Sequence, residues 1–366
     1  MSAFTPPSPE QHKRLFVPGP VEVDPEVLAE MARPVISHRG KDFQALYRAL
    51  VPGIQWIFQT KGLVLVSTSS ATGLWEAASR CAVRRRCLHL VNGAFSERWE
   101  DVTRRCGRET GVLAAEWGRA HRPDDVEREL RTGRYDAVAL CHSETSTGVL
   151  DPLAEIAGVV RRFDDVLLLV DAVSSLSTVP IDVDRLGIDL CLAGVQKGLA
   201  LPPGISICSV GERARARCRS IPVAERGYYF DLETLEEFGA KGETPSTPSI
   251  SHLYALLRQV ERMRAEGLEA RYARHRRLAD RCRLWAAERG FRLFPEPGFE
   301  AIGLTCLENA RRIDLGALEA GLAARGAQIS DGYGQLKGRT FRIAHMGDTQ
   351  PAELERLLGW IDELTP

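Results

Sequence analysis

The first two thirds of this sequence alternate between short apolar runs and amphipathic stretches. The apolar runs are bounded by turn residues and occupy positions 63–66, 88–91, 137–141, 166–170, 190–193 and 205–210. Between them, apolar residues recur with helical spacing over positions 73–83, 97–106, 124–130 and 153–163. Strands that alternate with helices pair in one sheet, so the pattern predicts an α/β fold whose mainly parallel sheet is covered by helices on both faces.

The pattern changes near residue 250. Residues 250–289 are helical throughout and rich in arginine, which predicts one long connecting helix. Two candidate strands and a closing helix then predict a smaller α+β domain, at 301–307, 339–344 and 351–364. We therefore divide the chain into an N-terminal segment, a large domain, and a connecting helix with a small C-terminal domain, at 1–20, 21–255 and 256–366. Residues 5–9 are predicted to be disordered.

Charge and composition exclude several classes of protein. The 366 residues include 48 basic and 49 acidic ones, so no overall field exists to hold nucleic acid or an anionic membrane. The longest uncharged stretches have 14 residues, one of them at 244–257, which is too short to span a bilayer. No basic segment followed by an apolar run opens the chain, so we expect a cytoplasmic enzyme. The nine cysteines form no Cys-x-x-Cys pair, which predicts neither a metal site nor a disulfide framework.

Two residues with ionisable side chains follow neighbouring apolar runs. Asp171 comes directly after the run 166–170, and Lys197 follows the run 190–193. The carboxyl ends of parallel strands meet at one edge of a sheet, where ligands of open α/β folds bind. Only six lysines occur beside 42 arginines, so a lysine at a strand end is unusual in this chain. A structural cap for Asp171 and a surface position for Lys197 are the alternatives.

An acid and a lysine at adjacent strand ends suit pyridoxal phosphate. The aldehyde of this cofactor joins a lysine as a Schiff base, and a buried carboxylate keeps its ring nitrogen protonated, so that the ring can accept the electrons of a carbanion. Its phosphate needs hydroxyls and free amides at a helix N-terminus. The stretch Val-Ser-Thr-Ser-Ser-Ala-Thr-Gly at 66–73 offers both, although an ordinary helix cap has the same composition.

The ordered series of motifs resembles the class V aminotransferases of fold type I, and within them the serine–glyoxylate and alanine–glyoxylate (serine–pyruvate) group. The likeness runs from Leu-Phe-Val-Pro-Gly-Pro at 15–20 to Phe-Arg-Ile-Ala-His-Met-Gly at 341–347. Gly-Val-Gln-Lys-Gly at 194–198 and His-Ser-Glu-Thr-Ser-Thr-Gly at 142–148 lie between them. The resemblance implies a three-layer large domain that binds pyridoxal phosphate, a small C-terminal α+β domain, and an N-terminal segment that lines the active site.

The resemblance implies cofactor contacts by position. Lys197 matches the lysine that carries the cofactor, and Gln196 matches a neighbour that contacts it. Asp171 matches the partner of the ring nitrogen. Phe95 matches the aromatic residue that stacks on the ring, although a lone phenylalanine is more often part of a core.

Further cofactor contacts are implied at two polar turns. The phosphate-binding turn corresponds to Ser70, Ala71 and Thr72, where alanine replaces the glycine of many relatives but leaves the amide free. Thr145 matches the residue whose hydroxyl bonds the phenolic oxygen of the cofactor, with Ser146 as a second candidate. Read without the family, the second turn is a polar loop between a strand and a helix.

The resemblance also implies a homodimer with its sites at the interface. Thr244 and Thr247 match a segment that reaches the phosphate of the neighbouring subunit's cofactor, although a loop stiffened by proline would explain the same residues. His38 and Arg39 match a segment near the entrance of the site across the dimer. Residues 228–231 match a loop over the neighbour's site.

Substrate contacts are implied at both ends of the chain. Arg342, on the candidate strand at 339–344 with apolar neighbours, matches the residue that binds the substrate α-carboxylate in bidentate fashion. Gly19 and Pro20 match residues that line the same end of the pocket, where a missing side chain allows close approach. Lys337, or His38 with Arg39, could recognise a second acidic group.

These observations predict ping-pong transamination that moves the amino group of serine or alanine to glyoxylate or pyruvate. The same chemistry on aspartate or phosphoserine with 2-oxoglutarate is an alternative. A pyridoxal phosphate lyase of the cysteine desulfurase or kynureninase type is an alternative of another class. A desulfurase needs a cysteine on a loop of the small domain, however, and residues 330–335 contain none.

Overall fold

The computed structural model describes residues 11–365 of the chain. Residues 5–9, for which the sequence predicts disorder, lie outside that range. Within it, no helix is both long and apolar enough to cross a bilayer.

Strands and helices largely alternate from β2 to β9, although the short strands β6 and β7 follow β5 without a helix between them. The strands are β1 Arg14–Leu15, β2 Leu63–Ser67, β3 Arg86–Val91, β4 Glu109–Ala114, β5 Ala137–Cys141, β6 Ser143–Glu144, β7 Val149–Leu150, β8 Leu167–Asp171, β9 Leu190–Gly194, β10 Ser206–Val210, β11 Arg292–Leu293, β12 Leu304–Glu308, β13 Ala327–Gln328, β14 Ser330–Asp331 and β15 Thr340–Ala344. The helices are α1 Pro25–Glu30, α2 Lys41–Phe58, α3 Ala71–Ala82, α4 Ala94–Arg105, α5 Pro123–Leu130, α6 Leu153–Val160, α7 Val183–Leu186, α8 Glu212–Ser220, α9 Val223–Arg226, α10 Leu232–Ala240, α11 Ile250–Glu266, α12 Leu268–Glu288, α13 Leu315–Ala324 and α14 Pro351–Leu364.

Seven strands form the central sheet, in the order β2-β10-β9-β8-β5-β3-β4. Strand β10 runs antiparallel to both of its neighbours, and the other neighbouring pairs are parallel. The prediction of an α/β fold with a mainly parallel sheet is confirmed.

Helices cover both faces of this sheet. In β8, Leu168 and Val170 face a core shared with α2, α5, α6 and α11, whereas Leu167 and Leu169 face a core shared with α3, α4, α8 and α10. Alternate residues of a strand point to opposite faces. A strand that is buried on both faces is therefore apolar throughout, and this accounts for the short apolar runs in the sequence.

The C-terminal part builds a second core. A four-stranded antiparallel sheet, in the order β11-β12-β15-β14, packs with α12, α13 and α14. The predicted single connecting helix over 250–289 is wrong, because the chain breaks at Gly267, whose φ is +81°. Only glycine adopts this backbone conformation without steric cost, so α11 ends here and α12 starts at the next residue.

The N-terminal segment connects the two cores. Strand β1 pairs in parallel with β13 of the C-terminal domain, and Phe16 packs in the C-terminal core. Five residues further on, the amide of Val21 donates to the carbonyl oxygen of Gln196 at 3.1 Å, in the turn that carries Lys197. The division of the chain at residues 20 and 255 stays a prediction.

The cysteines are free thiols, and all except the half-buried Cys106 are buried. The fold brings Cys81, Cys218 and Asp231 within 4.8 Å of one another, a cluster that the spacing in sequence did not indicate. The guanidinium of Arg226 already contacts the sulfur of Cys218 at 3.3 Å and the carboxylate of Asp231 at 3.5 Å. Because that cation supplies the positive charge of the cluster, we assign no metal to it.

Candidate active site

A cavity of about 600 Å³, a volume that includes space open to solvent, lies at the carboxyl edge of the central sheet. Its walls come from residues that follow β2, β3, β5, β8 and β9, the edge at which parallel α/β sheets bind ligands. Eight residues predicted from the sequence line it together: Ser70, Ala71, Thr72, Phe95, Thr145, Asp171, Gln196 and Lys197.

Lys197 lies in the turn after β9 and is 8% exposed. Its Nζ donates a hydrogen bond to the carbonyl oxygen of Pro18 and lies 5.8 Å from the centre of the Phe95 ring. Burial, and then the positive charge of Arg342, lower the pKa of Lys197 to about 8. More of this amine is uncharged near neutral pH than in an exposed lysine, and the uncharged amine is the form that attacks a carbonyl.

Gly19 lies directly against Lys197. A Cβ atom at Gly19 would lie 2.6 Å from the Cδ of Lys197, and its φ of +119° disfavours any other residue. The neighbouring Pro20 is exposed. The sequence placed both residues at the site, and the structure brings Gly19 against the lysine.

Asp171 is the last residue of β8 and is buried. Its Oδ1 accepts from the amide of Val173 and its Oδ2 from the indole Nε1 of Trp75, both at 2.7 Å. Burial raises the pKa of Asp171 to about 6, against the opposing effect of these two donors. Each oxygen retains a second lone pair, so the carboxylate can still accept from the N–H of a protonated ring.

The N-terminus of α3 forms another wall of the cavity. Ser70 is the N-cap residue, and its side chain makes no capping hydrogen bond to the helix. The first amides of a helix have no partner within it, and the helix dipole favours negative charge at this end. With the side chains of Ser70 and Thr72, this turn presents the hydroxyls and amides that a phosphate requires.

Phe95 forms a third wall and is covered by Tyr333, from the loop after β14. The two rings stack at 5.3 Å between centroids and 24° between planes. Arg98, which also lines the cavity, donates to the Tyr333 hydroxyl at 2.6 Å. The sequence reasoning assigned no role to Tyr333 or Arg98, because their contact joins residues 235 positions apart.

Glu144 fixes the loop that carries the two hydroxyl candidates. Its buried carboxylate accepts from the amides of Phe95 and Ser96 at 3.1 and 2.9 Å, at the N-terminus of α4. It also accepts from the amide and the hydroxyl of Ser146, at 3.1 and 2.6 Å. The Ser146 hydroxyl is thus used within the protein, whereas Thr145 lines the cavity.

Arg342 lies on β15 and is 6% exposed. Its guanidinium donates to the carbonyl oxygens of Asp331, at 3.1 and 2.9 Å, and of Thr145, at 3.2 Å. Within residues 11–365 it forms no ion pair with a carboxylate, and burial lowers its pKa. The ring of Tyr333 covers the guanidinium at 5.6 Å, and Arg342 is not among the residues that line the cavity. The carboxylates of Asp331 and Glu144 act on its charge only from beyond ion-pair distance.

Several predicted residues do not line this cavity. Thr244 and Thr247 border a separate cleft beside Thr68, and His38 is half-buried elsewhere on the surface. Arg39 donates to the carbonyl oxygen of Thr244 at 2.7 Å and pairs with Glu243. Lys337 is exposed. Contacts of these residues with a neighbouring subunit stay a prediction.

The fit to pyridoxal phosphate can be judged from these groups. A buried lysine of lowered pKa, a buried carboxylate with spare acceptor capacity, an aromatic ring and an uncapped helix N-terminus surround one cavity. This donor set matches the aldehyde, the ring nitrogen, the ring face and the phosphate of the cofactor. The fold and the groups around the cavity therefore fit pyridoxal phosphate.

A comparison of the sequence with known families agrees with this fit. The family model described as aminotransferase class-V matches residues 35–297. The chain therefore belongs to the class V aminotransferases, a family that uses pyridoxal phosphate.

Curated relatives match over most of their length. A protein of Methanocaldococcus jannaschii named as an uncharacterized aminotransferase is 34% identical over 342 residues, 92% of this chain and 88% of its own. The small subunit of a soluble hydrogenase from Synechococcus sp. is 33% identical over 345 residues, 91% and 88% of the two chains. The serine–glyoxylate aminotransferase of Methylorubrum extorquens is 31% identical over 358 residues, 93% and 88% of the two chains.

A solved structure superposes on the whole chain. The ureidoglycine–glyoxylate aminotransferase of Bacillus subtilis gives a TM-score of 0.91 at 29% identity, over 100% of this chain and 94% of its own. This agreement confirms the predicted fold of the family, with its large domain and small C-terminal domain.

Proposed function

We propose that this enzyme moves the amino group of a small amino acid, serine or alanine, to glyoxylate or pyruvate in two half-reactions. The observation that carries the proposal is the placement of Lys197 and Asp171 at the ends of adjacent strands, on one cavity beside an uncapped helix N-terminus. Two relatives are named as serine–glyoxylate and ureidoglycine–glyoxylate aminotransferases, and these names support glyoxylate as the acceptor.

The chain's own groups would then act as follows. Bound pyridoxal phosphate supplies a ring that accepts electrons and so stabilises negative charge at the substrate α-carbon. Asp171, when ionised, keeps the ring nitrogen protonated. The Nζ of Lys197 acts as general base on the α-carbon proton, and its lowered pKa suits that task near neutral pH.

Cofactor contacts follow from the walls of the cavity. Ser70, Ala71 and Thr72 would hold the phosphate, and Phe95 would pack on the ring. The Thr145 hydroxyl and the Gln196 side chain are the polar groups left to contact the ring substituents. Ser146 is an indirect contributor in this arrangement, because its hydroxyl bonds Glu144.

Arg342 would bind the α-carboxylate that every substrate of the reaction carries. A buried guanidinium bonded only to carbonyl oxygens leaves a positive charge that an anion would compensate. Its fork of donors can grip both carboxylate oxygens. Gly19 would leave room beside Lys197 for the rest of the substrate, with Pro20 at the same end.

The proposed functional unit is a homodimer in which Thr244, Thr247 and His38 of one subunit complete the site of the other. The loops around Tyr229 and Ser249 both bond to Thr68, two residues before the phosphate turn. They therefore lie beside the phosphate end of their own cavity, and a two-fold axis at this edge would bring the same segment to the phosphate end of the neighbour's cavity. Exposed apolar side chains in the same surface segments, Val35 at 74% and Tyr228 at 61%, suit a face that a second copy covers.

An acidic amino donor is the second candidate. Arg98 lines the cavity, and within residues 11–365 its guanidinium pairs with no carboxylate. It is better placed to meet a second acidic group than Arg39, which is paired with Glu243. Aspartate or phosphoserine with 2-oxoglutarate would then be the substrates.

A lyase of the desulfurase type has less support. Cys141 is the cysteine on the described cavity wall, and burial raises its pKa well above the ordinary range. Such a thiol stays protonated and is a poor nucleophile.

Single half-reactions test the proposal. Serine, alanine, aspartate and phosphoserine are each mixed with the cofactor-loaded enzyme without an oxo acid, and loss of the visible absorbance is followed. We expect serine or alanine to remove the absorbance and glyoxylate or pyruvate to restore it. Release of an oxo acid while the absorbance persists would indicate a lyase and contradict transamination.

The same assay separates the two candidates. A response to aspartate or phosphoserine alone would support the second, if Arg98→Ala abolishes it and Arg105→Ala does not. Arg105 lies on the same helix and is paired with Asp101 at the surface, so it is a matched control.

A further inference from the structure

We propose that Trp75 is a positioning residue that orients the carboxylate of Asp171 toward the ring nitrogen of the cofactor, and that helix α3 thereby holds both ends of the cofactor at a fixed spacing. This inference rests on the proposed function, because it concerns the same site.

The contact is short and buried. The indole Nε1 of Trp75 donates to the Oδ2 of Asp171 at 2.7 Å. The Trp75 ring is held in place by Trp99, with ring centroids 5.9 Å apart and planes at 12°. Both tryptophans are buried. The donor therefore has little freedom to move away from the carboxylate.

Two donors fix the plane of the carboxylate. Oδ1 of Asp171 is held by the amide of Val173 at 2.7 Å, and Oδ2 by Trp75. Donors to a carboxylate stabilise its ionised form, which burial disfavours. Without the indole, Oδ2 loses its described partner, so the carboxylate can rotate and takes up a proton more readily. Both changes weaken its hold on a protonated ring nitrogen.

Helix α3 connects this contact to the phosphate turn. Ser70, Ala71 and Thr72 form the first turn of α3, and Trp75 follows about one turn later on the same helix. Between them, Gly73 packs against Phe230 so closely that a Cβ would lie 2.5 Å from its ring. One rigid element thus sets the distance between the phosphate turn and the donor to Asp171.

The variant Trp75→Phe removes the donor and keeps most of the ring. We expect cofactor to leave the diluted enzyme about tenfold faster, followed by loss of visible absorbance, because hydrogen bonds to charged groups are among the stronger ones. We expect kcat to fall by a similar factor while the amino-acid KM changes less than about twofold, since Trp75 does not touch the α-carboxylate site. In the pH profile of kcat, the acid limb should move to higher pH, because Asp171 takes up a proton more readily without the indole donor.

Trp99→Phe is the matched control. It disturbs the same stack but leaves the bond to Asp171, so the release rate and the acid limb should stay near those of the parent enzyme. Urea unfolding of both variants reports the packing loss separately. Equal effects of the two substitutions on release and on the pH profile would overturn the inference, as would a Trp75→Phe enzyme with unchanged release.

A double-mutant cycle completes the test. If Trp75 acts through Asp171, adding Trp75→Phe to Asp171→Ala should not accelerate cofactor release further. Additive effects would overturn the positioning role. If Asp171→Ala alone releases the cofactor at the parent rate, the proposed function of Asp171 fails, which is distinct from a failure of Trp75 alone.

Discussion

Replacing Arg342 with alanine should weaken the use of every substrate, because each carries an α-carboxylate. The guanidinium is buried and bonds only to the carbonyl oxygens of Asp331 and Thr145. Removing one partner of a buried, hydrogen-bonded charge pair costs about 2–5 kcal/mol. That range corresponds to a loss in kcat/KM of about 30-fold to several thousand-fold.

The same substitution should also reduce stability. Three hydrogen bonds to carbonyl oxygens are lost, at a net value of about 1 kcal/mol each. Arg283→Ala is the matched control. Arg283 lies on α12 away from the cavity and donates to the carbonyl oxygens of Glu300 and Ala301 at 3.1 and 2.9 Å. The free energy of unfolding of the Arg283→Ala variant should fall, while its KM values stay unchanged.

The assay combines steady-state kinetics with urea unfolding. KM and kcat are measured for serine or alanine, and separately for glyoxylate or pyruvate, with the parent enzyme and both variants. We expect Arg342→Ala to raise both KM values and Arg283→Ala to leave them unchanged. If Arg342→Ala unfolds more easily but retains its KM for both substrates, Arg342 is a structural residue and its assignment to the carboxylate is refuted.

Three further outcomes are expected. Gly19→Ala should slow capture of pyridoxal phosphate by the apoprotein, because the new Cβ would lie 2.6 Å from the side chain of Lys197. Gly107→Ala is the control, since a Cβ at Gly107 would have no neighbouring atom within 4 Å. Equal capture rates for the two variants would contradict this expectation. Glu144→Gln should lower the free energy of unfolding by about 1–3 kcal/mol, since its amides and hydroxyls lose a charged acceptor; an unchanged urea midpoint would count against it. Capture should accelerate as pH rises, with a midpoint of about 8 where Lys197 becomes uncharged, and a midpoint near 10.5 would refute the lowered pKa.

The fold was predictable where local periodicity decides it. The closing helix predicted at 351–364 has those bounds in the structure. Strand β4 was missed because it lies at an edge of the sheet and only one of its six residues is buried, so it lacks an apolar run. The break at Gly267 was missed because apolar spacing continues across it, while one backbone angle ends the helix.

The site was predictable where chemistry follows directly from a strand. Asp171 and Lys197 come after apolar runs, and their types match one cofactor. Trp75 falls in the stretch of helical spacing at 73–83 and was assigned no role, because its bond to Asp171 joins residues 96 positions apart. A signal was present: a buried tryptophan needs a partner for its N–H. Tyr333 depends on how the small domain packs against Phe95, which sequence spacing does not encode.

Covalent capture of the cofactor by one lysine can be measured directly. The protein is incubated with pyridoxal phosphate, reduced with borohydride, digested and analysed by peptide mass spectrometry. We expect a yellow protein and a pyridoxyl group on Lys197 alone among the six lysines of the chain. A colourless protein, or a label spread over the exposed lysines with none on Lys197, would contradict the assignment of this cavity as a pyridoxal phosphate site.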